Sequence, residues 1–432
     1  MTKKEFLRLA VPLAGQGLFL NFAILVDLAR VGQLGIAGLA AVGICSQPKM
    51  VLSILYTALA VALTALVGRR YGEKNIEEAK RIFTTGMVMT LVMYTAFIVP
   101  AIIFAADIVK IAGAKSDYSA IAAAYFKWIA VSRFFDAIST VLAVPFMMTG
   151  RGKVIFFAGA AGNILNAGLN YVFIFGNCGA PAMGVAGAGL ATMISAATTA
   201  VILALRLQNT GMGFTGRLIK PLKMARLTVH AVSEQICERI GLFIFARLIA
   251  DLGTVGTGTG YVTMIIEDIF YYIFIGMGQA EATLVSKSLG AHDVKQTRQY
   301  IRTGLLFSLS VGVFGSFLFI AFGRSLAGLM MPEGEALSLA TRVLFVSGIA
   351  LIPEAIAPIN AGALRGAGDT SFVAKYSLII IAVFRPIITY LFIYPWGFGL
   401  PGAWMAIACD QGLRALISAW RLRGNRWCER EI

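Results

Sequence analysis

TALVGRRYGEKNIEEAKRIFTTG (residues 64–86) and ATLVSKSLGAHDVKQTRQYIRTG (residues 282–304) are two copies of one pattern, set 218 residues apart. Leu66 and Leu284, Val67 and Val285, Gly72 and Gly290, Thr85 and Thr303, and Gly86 and Gly304 are identical across the two. Much of the match lies in a polar, loop-like stretch, so shared apolar composition does not account for it. A second match supports it: Gly184, Gly187, Ala188 and Ala191 correspond to Gly399, Gly402, Ala403 and Ala406 at a spacing of 215. The chain reads as a duplicated unit.

What each copy is made of follows from the stretches around these loops. Of 432 residues, 58% are hydrophobic and only 14% charged, and the mean hydropathy is +0.79. Soluble domains carry ~25% charged residues, so this chain cannot clothe a surface in water. A bilayer core of ~30 Å is crossed by ~20 apolar residues in a helix. Apolar runs that meet this length lie at roughly 9–31, 44–68, 82–105, 119–148, 154–175, 184–206, 228–250, 259–286, 303–322, 336–363, 372–394 and 401–420. The expectation is an all-α integral membrane protein of twelve transmembrane helices. Six spans separate the repeated segments, so the halves are parallel repeats, two pseudo-symmetric six-helix bundles around a central cavity. Residues 1–206 form the first bundle, 207–227 a cytoplasmic linker, 228–420 the second bundle and 421–432 a basic cytoplasmic tail.

The net charge of +15 comes in bursts between apolar runs, not as one basic face, which argues against nucleic-acid binding. The bursts fall on alternate connections. One side holds Lys3, Lys4 and Arg8, then Arg69, Arg70, Lys74, Lys80 and Arg81, and finally Arg421, Arg423, Arg426 and Arg430, with Arg151, Arg217, Lys287 and Arg365 between. The other side has Arg30, Lys110, Lys115 and Arg324. Basic loops stay in the cytoplasm, so both termini are expected there, in a multi-pass cell (inner or plasma) membrane protein. Met1–Arg8 is charged, but the apolar stretch after it lacks a signal-peptidase exit and is expected to remain as a helix. Cys45, Cys178, Cys237, Cys409 and Cys428 show no paired spacing and read as isolated thiols.

Polar side chains in the spans are expensive in lipid and need a partner or a task. Asp27 lies in the first span, Asn166 and Asn170 share one face of the fifth, and Glu234 and Glu238 share one face of the seventh. Glu267 and Asp268 sit together in the eighth span, and Glu354 lies in the tenth between Pro353 and Pro358. Such carboxylates can load and release protons or, with other oxygens, hold a dehydrated Na⁺. Asp136 with Arg133, and Asp410 with Arg414, read instead as structural ion pairs, each with its cation about one turn away. Glu238 and Glu354 are the functional candidates; for Glu267 and Asp268 the two readings stand level.

The runs VDLARVGQLGIAGLAAVG (26–43), GRRYGEKNIEEAK (68–80) with its repeat SKSLGAHDVKQTR (286–298), and ALRGAGDT (363–370) resemble the multidrug and toxic compound extrusion (MATE) family across nearly the whole chain. The resemblance implies alternating-access export of organic, often cationic or amphipathic, compounds against inward Na⁺ or H⁺, with no cofactor beyond that ion. It implies that Asp27 is a coupling acid of the first bundle, with Asn166 near it, and that Pro12 is where the first helix bends. The family's proton-coupled branch often has an aspartate where this chain has Asn170. In the second bundle, Glu238 matches the helix-seven glutamate of the Na⁺-linked branch, and Glu354 stands where that branch has an aspartate. The resemblance therefore points to Glu238 and Glu354 as cation ligands, Na⁺ included; Asn166, Asn170, Glu267 and Asp268 are expected to line a polar part of the cavity.

Two other classes compete. A flippase for lipid-linked oligosaccharides or other anionic lipid-linked substrates would use intramembrane cations, here Lys49, Arg133, Arg239, Arg247 and Arg385. An enzyme is not expected, because no nucleotide loop, metal-ligand cluster or nucleophile elbow is present. The expected partners are small organic molecules and membrane lipid, with the protein acting as a monomer.

Overall fold

The computed structural model describes residues 2–331 and 333–428, and these form helices and short connections with no strand among them. The first half comprises α1 (Thr2–Gly32), α2 (Ile36–Gly72), α3 (Ile76–Ile103), the short α4 (Ala105–Ile111), α5 (Ser119–Met148), α6 (Gly152–Phe175) and α7 (Val185–Arg206). The second half comprises α8 (Leu222–Ala250), α9 (Gly253–Gly290), α10 (Val294–Gly328), α11 (Glu335–Gly366), α12 (Thr370–Ser377), α13 (Arg385–Ile393) and α14 (Gly399–Arg423). A π-helical turn, Leu378–Phe384, joins α12 to α13. With α4 as an appendage of α3 and α12–α13 as one rod, this is the twelve-helix architecture read from the sequence. Arg430 and the rest of residues 429–432 lie outside the described residues.

Nine of the described helices are long and apolar enough to cross a membrane. The three remaining spans, α6, α8 and α14, are those diluted by Asn163, Asn166 and Asn170, by Glu234, Glu238 and Arg239, and by Asp410 and Arg414. Polar residues thus concentrate where the candidate sites are. The helices also overrun the apolar runs: α9 has 38 residues, ~57 Å at ~1.5 Å per residue, against a core of ~30 Å. The polar first turns of α3 and α10 are held by side-chain caps that apolar runs do not reveal.

The duplication extends to backbone geometry. The Asn75 side chain accepts from the Glu78 N–H at the start of α3, and the Asp293 side chain accepts from the Gln296 N–H at the start of α10. Just before these caps, Lys74 and His292 adopt φ 61° and 56°, left-handed conformations uncommon outside glycine. Both N-cap amides close the same loop, Asn75 N to Arg70 O and Asp293 N to Ser288 O, each at 3.0 Å. At Gly150 and Gly368, again 218 residues apart, φ is 69° and 83°.

The chain forms two compact units, Gly15–Thr228 and Met1–Ala14 with Val229–Ile432. It passes between them inside α1, after Ala14, and inside α8, after Thr228. In the first unit, Val31, Ala41, Tyr125, Phe126, Ile129 and Val185 bury one core. The connection after α7 is docked there, not free: Thr215 and Ile219 donate their N–H groups to the hydroxyls of Thr84 and Thr85, and Phe214 stacks on Phe83. In the second unit, α9 and α11 pack backbone to backbone. A Cβ on Gly362 would overlap the Gly278 carbonyl, and one on Gly366 the Ala282 carbonyl. These two glycines permit the close approach.

Candidate functional site

Each unit holds a polar cluster on its spans. In the first, α1 presents Asp27 to α6, where Asn170 Nδ2 donates to Asp27 Oδ1 at 2.5 Å. Asn166, one turn away on the same face, is 4% exposed and Asn170 is fully buried. With the Asn166 amide nitrogen turned to Asp27, it donates to the same carboxylate oxygen at 2.6 Å, and its own oxygen accepts from Thr192 N–H of α7 at 3.2 Å. The buried Asn170 Oδ1 has no hydrogen-bond partner among the described residues, which leaves an oxygen beside the carboxylate. Next to this network a cavity of about 150 Å³ is lined by Phe19, Phe22 and Val26 of α1 and Asn163, Ile164 and Asn166 of α6. Lys49 of α2 lies within electrostatic reach of Asp27.

Pro12 sits inside α1, which runs unbroken from Thr2 to Gly32. It has no N–H to return to the Arg8 carbonyl, so the helix lacks a hydrogen bond there. The handover between the units follows two residues later.

The second cluster gathers acids from three helices of the other unit. Glu354 of α11 is 9% exposed and lies within electrostatic reach of Glu267 and Asp268 of α9 and of Arg385 and Arg414. It has no hydrogen bond or ion pair among the described residues. Glu238 of α8 faces Arg414 of α14 at 3.9 Å, and Tyr271 of α9 stands near both Glu238 and Glu354. Trp404 Nε1 donates to Glu267 Oε2 at 2.7 Å, a fixed contact for one of the acids the sequence left undecided. Asp268, partly exposed, has no such contact among the described residues.

The expected pair of Asp136 with Arg133 forms at 2.8 Å. Asp410 departs from expectation: its direct partner is Arg385, with both the Nε and an Nη donating to Oδ2, and Arg414 turns toward Glu238. The reason lies in the rod between α12 and α13. Pro386 cannot donate within the helix, and the π turn ahead of it sets Arg385 against α14. A partner 25 residues away leaves no one-turn spacing to read. Glu234 is also committed, to a two-pronged contact from Arg365, and Asp369 to Arg421 at 2.8 Å. The ALRGAGDT run is therefore a pair of buried ionic fastenings.

Among the described residues, no group of three or more His, Cys, Asp or Glu side chains gathers to hold a metal ion. A bound Na⁺ would have to draw amide, hydroxyl or backbone oxygens in with a carboxylate.

This duplicated, twelve-helix arrangement with one acidic cluster per unit matches a known family. The MatE family model matches residues 12–172 and again 231–391, and the chain belongs to that family. A probable multidrug resistance protein NorM of Rhizobium meliloti is 27% identical over 431 residues, covering 96% of this chain and 92% of that protein. A protein of the same description from Thermotoga maritima is 22% identical, covering 100% and 94%. Among solved structures, a mutant form of the Vibrio cholerae MATE transporter VcmN superposes with a TM-score of 0.91 at 20% identity, covering 99% of both chains. A MOP superfamily transporter from Pyrococcus furiosus shares the fold with a TM-score of 0.89 at 18% identity, covering 99% of this chain and 97% of that one.

Proposed function

We propose that the protein exports small organic compounds, cationic or amphipathic, by alternating access, driven by the inward flow of a cation, Na⁺ or H⁺. Glu354 carries this reading: a carboxylate in a membrane-spanning helix, without an ionic contact of its own, within electrostatic reach of the acids Glu267 and Asp268 and of Arg385 and Arg414. Such a group needs an ion, and an ion that comes and goes can drive transport. Glu238 and Glu354 bind the coupling cation, with Glu267 and Asp268 around them, and Asp27 with Asn166 and Asn170 forms a second acidic station in the first unit. The relatives' description as multidrug resistance proteins supports the substrate class. Pro12 gives α1 a place to bend. The excess of basic residues on alternate connections supports a cytoplasmic position for both termini.

The flippase reading needs free cations for a pyrophosphate. Arg133 and Arg385 are instead held by Asp136 and Asp410, which counts against it. The test is reconstitution in liposomes with a fluorescent cationic dye under separate Na⁺ and pH gradients. Dye movement under one gradient, lost in Glu354→Gln, supports the exporter and names its ion. No movement under either gradient would overturn the reading.

A further inference from the structure

Outside both clusters, α9 buries one more carboxylate. Glu281 is fully buried, and neither Oε1 nor Oε2 has a hydrogen-bond partner among the described residues. Its carboxyl lies against Gly304 of α10, in the space a Cβ there would fill, and the Phe6 ring of α1 closes over the same glycine. Phe6 is itself fully buried and stacks on Phe307 at 6.0 Å. Alongside, the Tyr300 hydroxyl of α10 donates to Glu5 of α1. Thus Glu281 is roofed by the first turns of α1, which belong to the same compact unit.

We propose that Glu281 is a proton-binding site, occupied in this conformation, whose neutral carboxyl lets the first turns of α1 seat on α9 and α10. An ionised carboxylate sealed in an apolar pocket with no donor carries a large penalty, and such a group is tolerated only when neutral or when the seal opens to water. Its neighbours offer no relief. From α10 the Tyr300 hydroxyl lies within electrostatic reach and is already given to Glu5. From α1 comes Glu5, another acid that shares Tyr300 as a neighbour, while Lys3, Lys4 and Arg8 are exposed. From α11 the packed positions are Gly362 and Gly366, and Arg365 is bound to Glu234. Arg298 and Arg302 of α10 are exposed. Seating is therefore favoured while the proton is on and opposed once it leaves, so raising the pH lifts the start of α1. Because α1 continues past Pro12 into the other unit, this proton reports on the helix that runs through both. The inference stands independently of the coupling-ion assignment, since its test reads proton occupancy and helix seating without transport.

The experiment uses the full chain in lipid nanodiscs. Infrared spectra across a pH titration should show the C=O stretch of a protonated carboxyl that Glu281→Gln removes and Glu281→Asp shifts. A spectrum unchanged in both variants would overturn the proposal. In a second readout, Ala10→Cys, at a buried position of α1, is labelled with a thiol reagent. The exposed Cys178 serves as the internal reference and the other native cysteines are replaced. Labelling relative to Cys178 should rise several-fold from acid to alkaline pH and stay low throughout in the Glu281→Gln background. The same rise in that background would overturn the proposal. Should Glu281→Gln fail to fold, the band position in Glu281→Asp decides.

Discussion

At the residue scale, the acids divide by what faces them. Glu234, Asp369 and Asp410 are claimed by arginines, whereas Glu354 has only distant charges around it. Neutralising the two kinds should have opposite consequences. Glu354→Gln is expected to leave the fold intact and cut ion-driven transport by roughly 5–150-fold, the span of ordinary coupling free energies, read as dye flux in liposomes. Glu238→Gln should cut transport too, while also removing the acid that faces Arg414 at 3.9 Å. Asp410→Ala removes the partner of Arg385 and should cost about 3–5 kcal/mol, as broken buried pairs do, read as a fall in thermal stability in detergent. An Asp410 variant of normal stability would show that Arg385 has another counter-charge. The sequence named the acids but not this division. Asp136 could be assigned because Arg133 is one turn away, while Asp410 could not, since its arginine arrives from another helix across a π turn.

At the scale of elements, contact between helices depends on two glycines spaced four apart in α11, a small-residue pattern that allows close packing in a membrane. Gly362 and Gly366 meet carbonyls of α9, so Gly366→Ala must push α9 and α11 apart. The expected cost is about 1–3 kcal/mol, as for other overpacked cores, with a matching loss of thermal stability. Gly168, where an added Cβ would meet nothing within 4 Å, is the control and should tolerate alanine. The repeat itself was legible: the loop at 68–80 and its copy at 286–298 predict equivalent helix starts. The caps at Asn75 and Asp293 and the left-handed Lys74 and His292 show that the copies share backbone as well as letters. Helix ends were less legible, because capped polar turns extend α2, α3, α9 and α10 beyond their apolar runs.

At the scale of the molecule, span number and duplication could be read directly, since apolar length and loop matches are local features. The passage of α1 from one compact unit to the other could not, because it depends on contacts between residues nearly the whole chain apart. Pro12 stands just before that passage. Pro12→Ala would restore the missing hydrogen bond and stiffen α1. Transport is expected to slow while binding of the coupling ion, measured by calorimetry on the purified protein, is retained. Equal loss of both would place Pro12 in the binding site instead.

The contact between Glu5 and Tyr300 joins residues 295 apart, and this sets a timetable for biosynthesis. A ribosome adding ~5–20 residues per second needs roughly 15–60 s to deliver Tyr300 after Glu5 has emerged. Throughout that interval the first turns of α1 lack the surface that buries Phe6, though the rest of the helix already belongs with its own half. The segment around Glu5 and Phe6 must therefore wait in the bilayer or with a chaperone, and a chain truncated after the first half should leave it open to proteases.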